Sequence, residues 1–322
     1  MRKSTLMRAT ALLIGVGAVT AATVPGATAA PAPKVNVKKI APVERVLPKA
    51  AKTAKTAKAA PQSAVVTPTY AVFNPGDTLK SGESVKVGYS TLTMQADGNL
   101  VLYLVADNGK QLQALWSSKT WGNNGAYAVM QADGNFVVYK KDGGDGIGGA
   151  LWSTGTYGKA GSVFSLDGGE LLVFDQTGTT LHWRNDTGFF PAFVNGQWVD
   201  QPADSLQGTP QVQGLVQNMW LESSTTILVQ QADGNLVSYR KKDGGVIWSS
   251  ATYGHAGAVA VQTSDGAFAV ADNNKMYWNS GTWNNPGAYV KTQSDGNIVV
   301  YRQGGGPNNG GALWASGTYG KA

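Results

Sequence analysis

Beyond Tyr70 the apolar positions fall in short runs, rich in β-branched and aromatic side chains and broken by Gly, Asn and Asp. Such runs predict strands rather than helices, whose apolar positions would recur every three or four residues. The runs also repeat. Met94 to Tyr103 reads MQADGNLVLY, Met130 to Tyr139 MQADGNFVVY, Gln231 to Tyr239 QADGNLVSY and Gln293 to Tyr301 QSDGNIVVY. Weaker copies surround Asp167-Gly168 and Asp265-Gly266, where Ser165 or Thr263 stands for the Gln and the Asn is lost. The six Asp residues are 36, 34, 66, 32 and 30 positions apart, and the one long step divides them into three and three.

Six units in two sets predict two tandem all-β domains, each with pseudo-threefold symmetry. The boundary is expected between Trp183 and Asp204, giving domains at 70–195 and 196–322. A Trp follows every copy: Trp116, Trp152 and Trp183 in the first half, Trp248, Trp278 and Trp314 in the second. Each is expected to turn toward the shared axis of its domain. The words after the Trp recur as well, as in Thr154-Gly155-Thr156-Tyr157-Gly158 and Ser316-Gly317-Thr318-Tyr319-Gly320. Both halves open alike, at Asp77-Thr78-Leu79 and Asp204-Ser205-Leu206, but the second opening carries an insertion near Gln217 to Ser223.

Read as one extended strand, the first copy places Gln95, Asp97, Asn99, Val101 and Tyr103 on a single face. Met94, Ala96, Leu100 and Leu102 take the other, apolar face. The same reading sets out Gln131, Asp133, Asn135, Val137 and Tyr139; Gln231, Asp233, Asn235, Val237 and Tyr239; and Gln293, Asp295, Asn297, Val299 and Tyr301. A carboxylate accepts hydrogen bonds, and amides and a phenol both donate and accept. That set suits a sugar, with the Val offering methyl groups to the ring C–H face. Asp-Gly and Gly-Asn are also hairpin-turn signals. A turn, however, requires neither the Gln two before the Asp nor the Tyr six after it. One carboxylate per copy is too few for a calcium cage.

Charge is unevenly spread. Of 26 Lys and Arg residues eleven lie in 1–69, beside the single acid Glu44, leaving 15 basic against 19 acidic residues in 70–322. The folded part is mildly acidic, with no composition for nucleic acid. Arg2, Lys3 and Arg8, a short apolar stretch and Ala27-Thr28-Ala29 read as a secretory signal peptide over 1–29, cleaved near Ala29, so the protein is expected to be secreted and not membrane-spanning. Residues 30–69, rich in Ala, Lys and Pro, are expected to be a disordered linker, with anionic cell-surface contact as its sharper reading. The chain has no Cys and two His residues, His182 and His255. No carboxylate pair, phosphate loop or metal-ligand cluster stands out. The expectation is therefore a non-enzyme without cofactor or metal.

The pattern Q-x-D-x-N-x-V-x-Y, with the opening Leu79-Lys80-Ser81-Gly82, resembles the bulb-type, or monocot mannose-binding, lectins. The resemblance covers Tyr70 to the end of the sequence. It implies two tandem type II β-prisms, each of three four-stranded antiparallel sheets. It further implies that Asp and Asn hold the 2-hydroxyl of mannose, Gln the 3-hydroxyl, Tyr the 4-hydroxyl and Val the ring carbons. It implies exchange of C-terminal strands between prisms, so that the two domains complete each other. Units three and five would bind no sugar. The implied partners are mannose-containing glycans, or a bacterial surface polysaccharide if the tandem arrangement is that of a lectin-like bacteriocin.

Overall fold

The structure is a computed structural model that describes residues 8–10, 42–44, 70–194, 197–208 and 212–322. Arg8–Thr10 pairs antiparallel with Pro42–Glu44. The remainder of the expected leader and linker lies outside the described residues.

From Tyr70 the described chain is all-β, and its sheets form two three-sided prisms. Unit one is a meander of Ser84–Val87, Ser90–Met94, Leu100–Val105 and Gln111–Ser117. Unit two takes Tyr127–Met130, Phe136–Gly144 and Gly148–Ser153 in sequence, but its fourth strand, Thr78–Leu79, comes from the opening of the domain. Unit three likewise adds Tyr70–Phe73 to Val163–Asp167, Glu170–Phe174 and Leu181–Arg184. The second prism repeats the scheme. Ser205–Gln207 completes unit six on Tyr289–Thr292, and Gln213–Leu215 completes unit five on Val259–Gln262. Each opening segment thereby pairs sheet edges that would otherwise be bare, and closes its own ring. This corrects the expected strand exchange: the C-terminal strand Gly310–Ala315 pairs with Ile298–Gly306 inside its own prism.

Strand alternation fills the prism interiors. Leu92, Met94, Leu100 and Leu102 of unit one are fully buried against Phe136, Val138, Phe164 and Val173 of the other two sides. Phe136 stacks on Phe164 at 3.7 Å, with the edge of Phe73 turned to both. Near the axis Trp116, Trp152 and Trp183 form a triangle of edge-to-face contacts at 5.0, 5.7 and 6.2 Å. Trp248, Trp278 and Trp314 repeat it at 5.2, 5.3 and 6.0 Å. Such pairs add roughly 0.5–1.5 kcal/mol each beyond the area they bury. One indole per side also fixes the threefold arrangement.

The prisms are joined side to side. Unit four, built from Met219–Glu222, Thr226–Gln230, Leu236–Arg240 and Val246–Ser249, gains a parallel fifth strand from Gly188–Phe189. Its outer residues Trp220, Ile227 and Val229 join the core cluster of the first prism. Trp220 lies over the Gly168-Gly169 turn of unit three, so closely that a Cβ on Gly169 would come within 2.1 Å of the indole. Gly169 also has φ +81°, a conformation that disfavours any side chain. Around this contact the Trp220 indole donates to Glu222 at 2.7 Å, and Lys241 pairs with Glu222 at 2.8 Å, both partners buried. The Lys241 ammonium also sits 4.2 Å from the Tyr89 ring of the first prism. Asn218 closes the far side, donating to the Leu115 carbonyl and accepting from Gln113.

Replacing Trp220 by Ala should cost about 3–5 kcal/mol of unfolding free energy, because the cavity opens where two cores meet. Urea denaturation of the full chain measures it; a loss below about 1 kcal/mol, the size of an ordinary surface change, would mean that this contact does not join the prisms.

Candidate functional site

The expected single strand is corrected by the structure. In every intact unit the motif rounds a hairpin: Met94 pairs with Leu100 across the turn, Met130 with Phe136, Gln230 with Leu236 and Thr292 with Ile298. Gln95 N–H donates to the Asn99 carbonyl and Gly98 N–H to the Gln95 carbonyl, at 2.9 and 3.0 Å, closing a tight loop. Asp-Gly-Asn is thus a turn after all, with the Gly at φ +90° in unit one. Glycine is required there for a second reason. A Cβ on Gly98 would stand 2.2 Å from the Asn123 carbonyl oxygen, and one on Gly134 2.1 Å from that of Lys159.

The polar side chains still converge. Gln95 Nε2 donates to the Tyr103 hydroxyl at 2.8 Å, and the same bond measures 3.0 Å for Gln131–Tyr139 and Gln231–Tyr239 and 2.8 Å for Gln293–Tyr301. The Asp carboxylate accepts the backbone N–H of the Asn two residues on, at 2.8–2.9 Å in Asp97, Asp133, Asp233 and Asp295. The Val lies on the same strand two residues before the Tyr and is only 2–3% exposed in all four units, so the apolar floor is narrow.

The Asn is oriented from behind by residues that the motif does not contain. The Asn135 Oδ1 accepts from the Thr154 hydroxyl and the Thr156 N–H, both at 3.1 Å. Ser118 and Thr120 hold Asn99 in this way, Ser250 and Thr252 hold Asn235, and Ser316 and Thr318 hold Asn297. The second hydroxyl of each pair reaches the motif Gly carbonyl, as Thr156 does at Gly134. These residues stand two and four places after the Trp, a recurrence visible in the sequence whose purpose was not. The intervening position is left-handed: Gly155 and Gly317, but also Lys119 at φ +60° and Ala251 at φ +56°.

With those bonds made, each cluster offers alternating capacity. The second Asp oxygen and the Gln Oε1 accept. The Asn amide nitrogen and the Tyr hydroxyl, which already accepts from Gln, donate. Burial holds the Tyr139 and Tyr239 phenols above their usual pKa, against the smaller opposing effect of the Gln bond, so they remain donors through mildly alkaline pH.

The weak copies are changed in different ways. In unit three Asp167 pairs with Glu170 around the two-residue turn Gly168-Gly169, three residues shorter than the five-residue loops between the paired strand ends of the intact units. The Asp-Gly pair is therefore not equivalent to its namesakes. Glu170 is buried with Arg184, and Phe189 and Trp220 lie against the turn. In unit five the Thr263 hydroxyl folds onto Asp265, and Ala269 and Ala271 pack with Val212, Val259 and Val261. Unit four is intact, but its Val237 and Tyr239 join the apolar cluster of the interface while Asp233 stays exposed. His255 stacks on Tyr277 at 3.8 Å, whose hydroxyl donates to Asp272. Among the described residues no group of three or more Asp, Glu or His could hold a metal ion.

Two tyrosines outside the motif complete units two and six. Tyr127 faces Tyr139 across the strands and its hydroxyl donates to the Gly143 carbonyl at 2.9 Å; Tyr289 faces Tyr301 and binds Gly305 at 2.8 Å. Each thereby props the far end of the long strand that carries the motif Tyr, Phe136–Gly144 or Ile298–Gly306.

No protein-family model and no curated protein matches the chain. Among solved structures, a lectin from Allium sativum is 30% identical over 32% of this chain and 91% of its own, with a TM-score of 0.26. In fold and in motif, the chain belongs to the bulb-type mannose-binding lectins. A monomeric mannose-binding lectin of this family from Gastrodia elata is 28% identical over 36% of this chain and 99% of its own (TM-score 0.31). The two-domain fetuin-binding agglutinin of Scilla campanulata is 27% identical over 76% of this chain and 99% of its own (TM-score 0.29).

Thr154→Val keeps the side-chain shape in this bulb-type prism but strips Asn135 of one donor and the Phe136 N–H of its acceptor. Buried groups left unpaired in this way should lower stability by about 1–3 kcal/mol. The urea midpoint measures this; an unchanged midpoint would remove the hydroxyl latch from the architecture.

Proposed function

We infer that the intact units one, two, four and six each bind one pyranose, with mannose as the first candidate, and that the protein acts as a multivalent carbohydrate-binding lectin. The observation that carries this reading is the fourfold recurrence of one cluster in which Gln supports Tyr, the turn supports Asp and the post-Trp hydroxyls support Asn. Vicinal hydroxyls each donate and accept. A row of acceptor, donor, acceptor and donor meets them without leaving a polar group unpaired. The 2-hydroxyl goes to Asp and Asn, the 3-hydroxyl to Gln and the 4-hydroxyl to Tyr. An equatorial 2-hydroxyl would point away from the Asp–Asn pair, so glucose should bind worse.

Each site is shallow, and its affinity alone is weak. Four of them on two joined prisms raise the apparent affinity for a glycan array through effective concentration, provided that the array spans the sites. The work of such a protein is attachment or cross-linking rather than bond cleavage. The leader read at residues 1–29 supports export, which places the sites where glycans are displayed. Among the described residues no helix is long and apolar enough to cross a membrane.

Asp97→Ala, Asp133→Ala, Asp233→Ala and Asp295→Ala combined should abolish binding to mannose-rich features of a glycan array while the circular dichroism spectrum persists. Undiminished array signal from the quadruple variant, or no carbohydrate signal from the unaltered protein, would overturn the reading.

A further inference from the structure

Unit six carries more than the motif. A groove of about 420 Å³ runs from Gln293 and Asp295 to Pro202 and Pro307, within the size range of small-ligand sites. Its far wall is the loop 223–226, which places four residues between the paired Glu222 and Ile227. The first prism makes the corresponding connection with Gly88 and Tyr89 alone, between Val87 and Ser90. The longer loop is fastened to the motif itself. Ser224 donates to the Ser294 hydroxyl and Thr225 to the Ser294 carbonyl, both at 2.7 Å, and Thr226 meets Thr292 at 3.0 Å.

Two changes in unit six match this wall. Ser294 stands where the other intact motifs have Ala96, Ala132 and Ala232. Lys291 stands opposite the motif Val299, where Thr93, Val129 and Val229 oppose theirs. Its ammonium pairs with Asp204, at the lip of the groove. Loop, Ser and Lys thus distinguish one unit out of four and all converge on one cavity.

We propose that unit six is an extended site, which holds a second, neutral pyranose in this groove beyond the one gripped by the motif. The proposal rests on the sugar reading above and deepens it for this unit. Ser224, its proton given to Ser294, offers an acceptor, the Ser294 hydroxyl keeps its own proton to donate, and Asp204 and Lys291 offer an acceptor and a donor at fixed positions. Pro202 and Pro307 supply apolar walls for ring C–H groups. Asp204 is paired with Lys291 and Glu222 with Lys241, which leaves the Asp295 carboxylate as the uncompensated charge of the lining, so a uronic acid in the second position is repelled. Unit six then selects disaccharide ends, while units one and two read single terminal sugars.

The full-length chain with Asp97→Ala, Asp133→Ala and Asp233→Ala leaves unit six as the sole working motif. Calorimetric titration of that protein with methyl α-mannoside and with α1→2, α1→3 and α1→6 mannobiose reads the groove directly. At least one mannobiose should bind about tenfold tighter than the monosaccharide, a difference of about 1.4 kcal/mol. Adding Ser224→Phe, which fills the groove, or Lys291→Val, which copies unit two, should remove the gain and leave monosaccharide affinity unchanged. A companion protein with only unit two intact should show no gain. Equal affinity for mono- and disaccharide in unit six, an equal gain in unit two, or a gain that survives both groove variants overturns the extended site and leaves the sugar reading standing. No monosaccharide binding by the unaltered protein overturns both.

Discussion

The segment that follows each Trp crosses behind the motif hairpin, and the site exists because of that crossing. Its hydroxyls and N–H fill the Asn carbonyl oxygen and the motif Gly carbonyl. Its backbone presses on the motif Gly, where only a hydrogen fits. Each bond contributes about 1 kcal/mol to folding, but the larger consequence is directional. An Asn whose oxygen is already engaged has one way to present its nitrogen. The Trp at the head of the same segment is pinned in the axial triangle, so packing at the prism axis and orientation of the outer amide belong to one stretch of chain.

Unit five separates the two roles of this latch. Ser280 and Thr282 still hold the Phe268 N–H and the Gly266 carbonyl, although Ala267 has replaced the Asn. The latch is therefore first a device for closing the hairpin, and the Asn uses it where present. This explains how a unit loses its polar cluster without losing its place in the prism. Unit three was lost to a different demand. Its shortened Gly168-Gly169 turn leaves room for Phe189 and Trp220, and the surface that would face solvent becomes the join between prisms. The pseudo-threefold repeat supplies six faces, and assembling two prisms into one body consumes some of them.

Much of this was legible in the chain. Six Asp-Gly pairs, each followed by a Trp, set the count of units, because a repeat must bury one indole and turn one corner per side. The convergence of Gln, Asp, Asn and Tyr was legible too, but for a reason that proved incomplete. Strand alternation places Asn99, Val101 and Tyr103 together, whereas Gln95 reaches Tyr103 across the hairpin. Local pattern cannot distinguish these, since a five-residue turn and an extended strand bring the same residue types to one side. The closing strands were hidden for a related reason. Thr78–Leu79 pairs with partners about fifty residues away and Tyr70–Phe73 with partners more than ninety away, and nothing in so short a strand announces its partner. Equally silent were Tyr127 and Tyr289, which lie outside the motif and matter only through what they face.

The joined prisms also bear on how the sites act together. Lys241, Glu222, Trp220 and Tyr89 form a largely buried chain of charge and aromatic contacts across the seam, and partial burial raises the Tyr89 phenol pKa further from any physiological titration. Breaking such a pair by removing one partner strands the other charge away from water, which costs more than the pair itself gains. The seam therefore resists sliding or hinging, and the four clusters keep fixed directions relative to one another. A flexible tether would let any two sites meet almost any glycan spacing at the cost of ordering the linker each time. A fixed frame binds fewer spacings, and binds those without that entropic loss. On the sugar-binding reading proposed above, rigid joining, rather than the number of motifs, is what would make the four clusters select for how sugars are arranged.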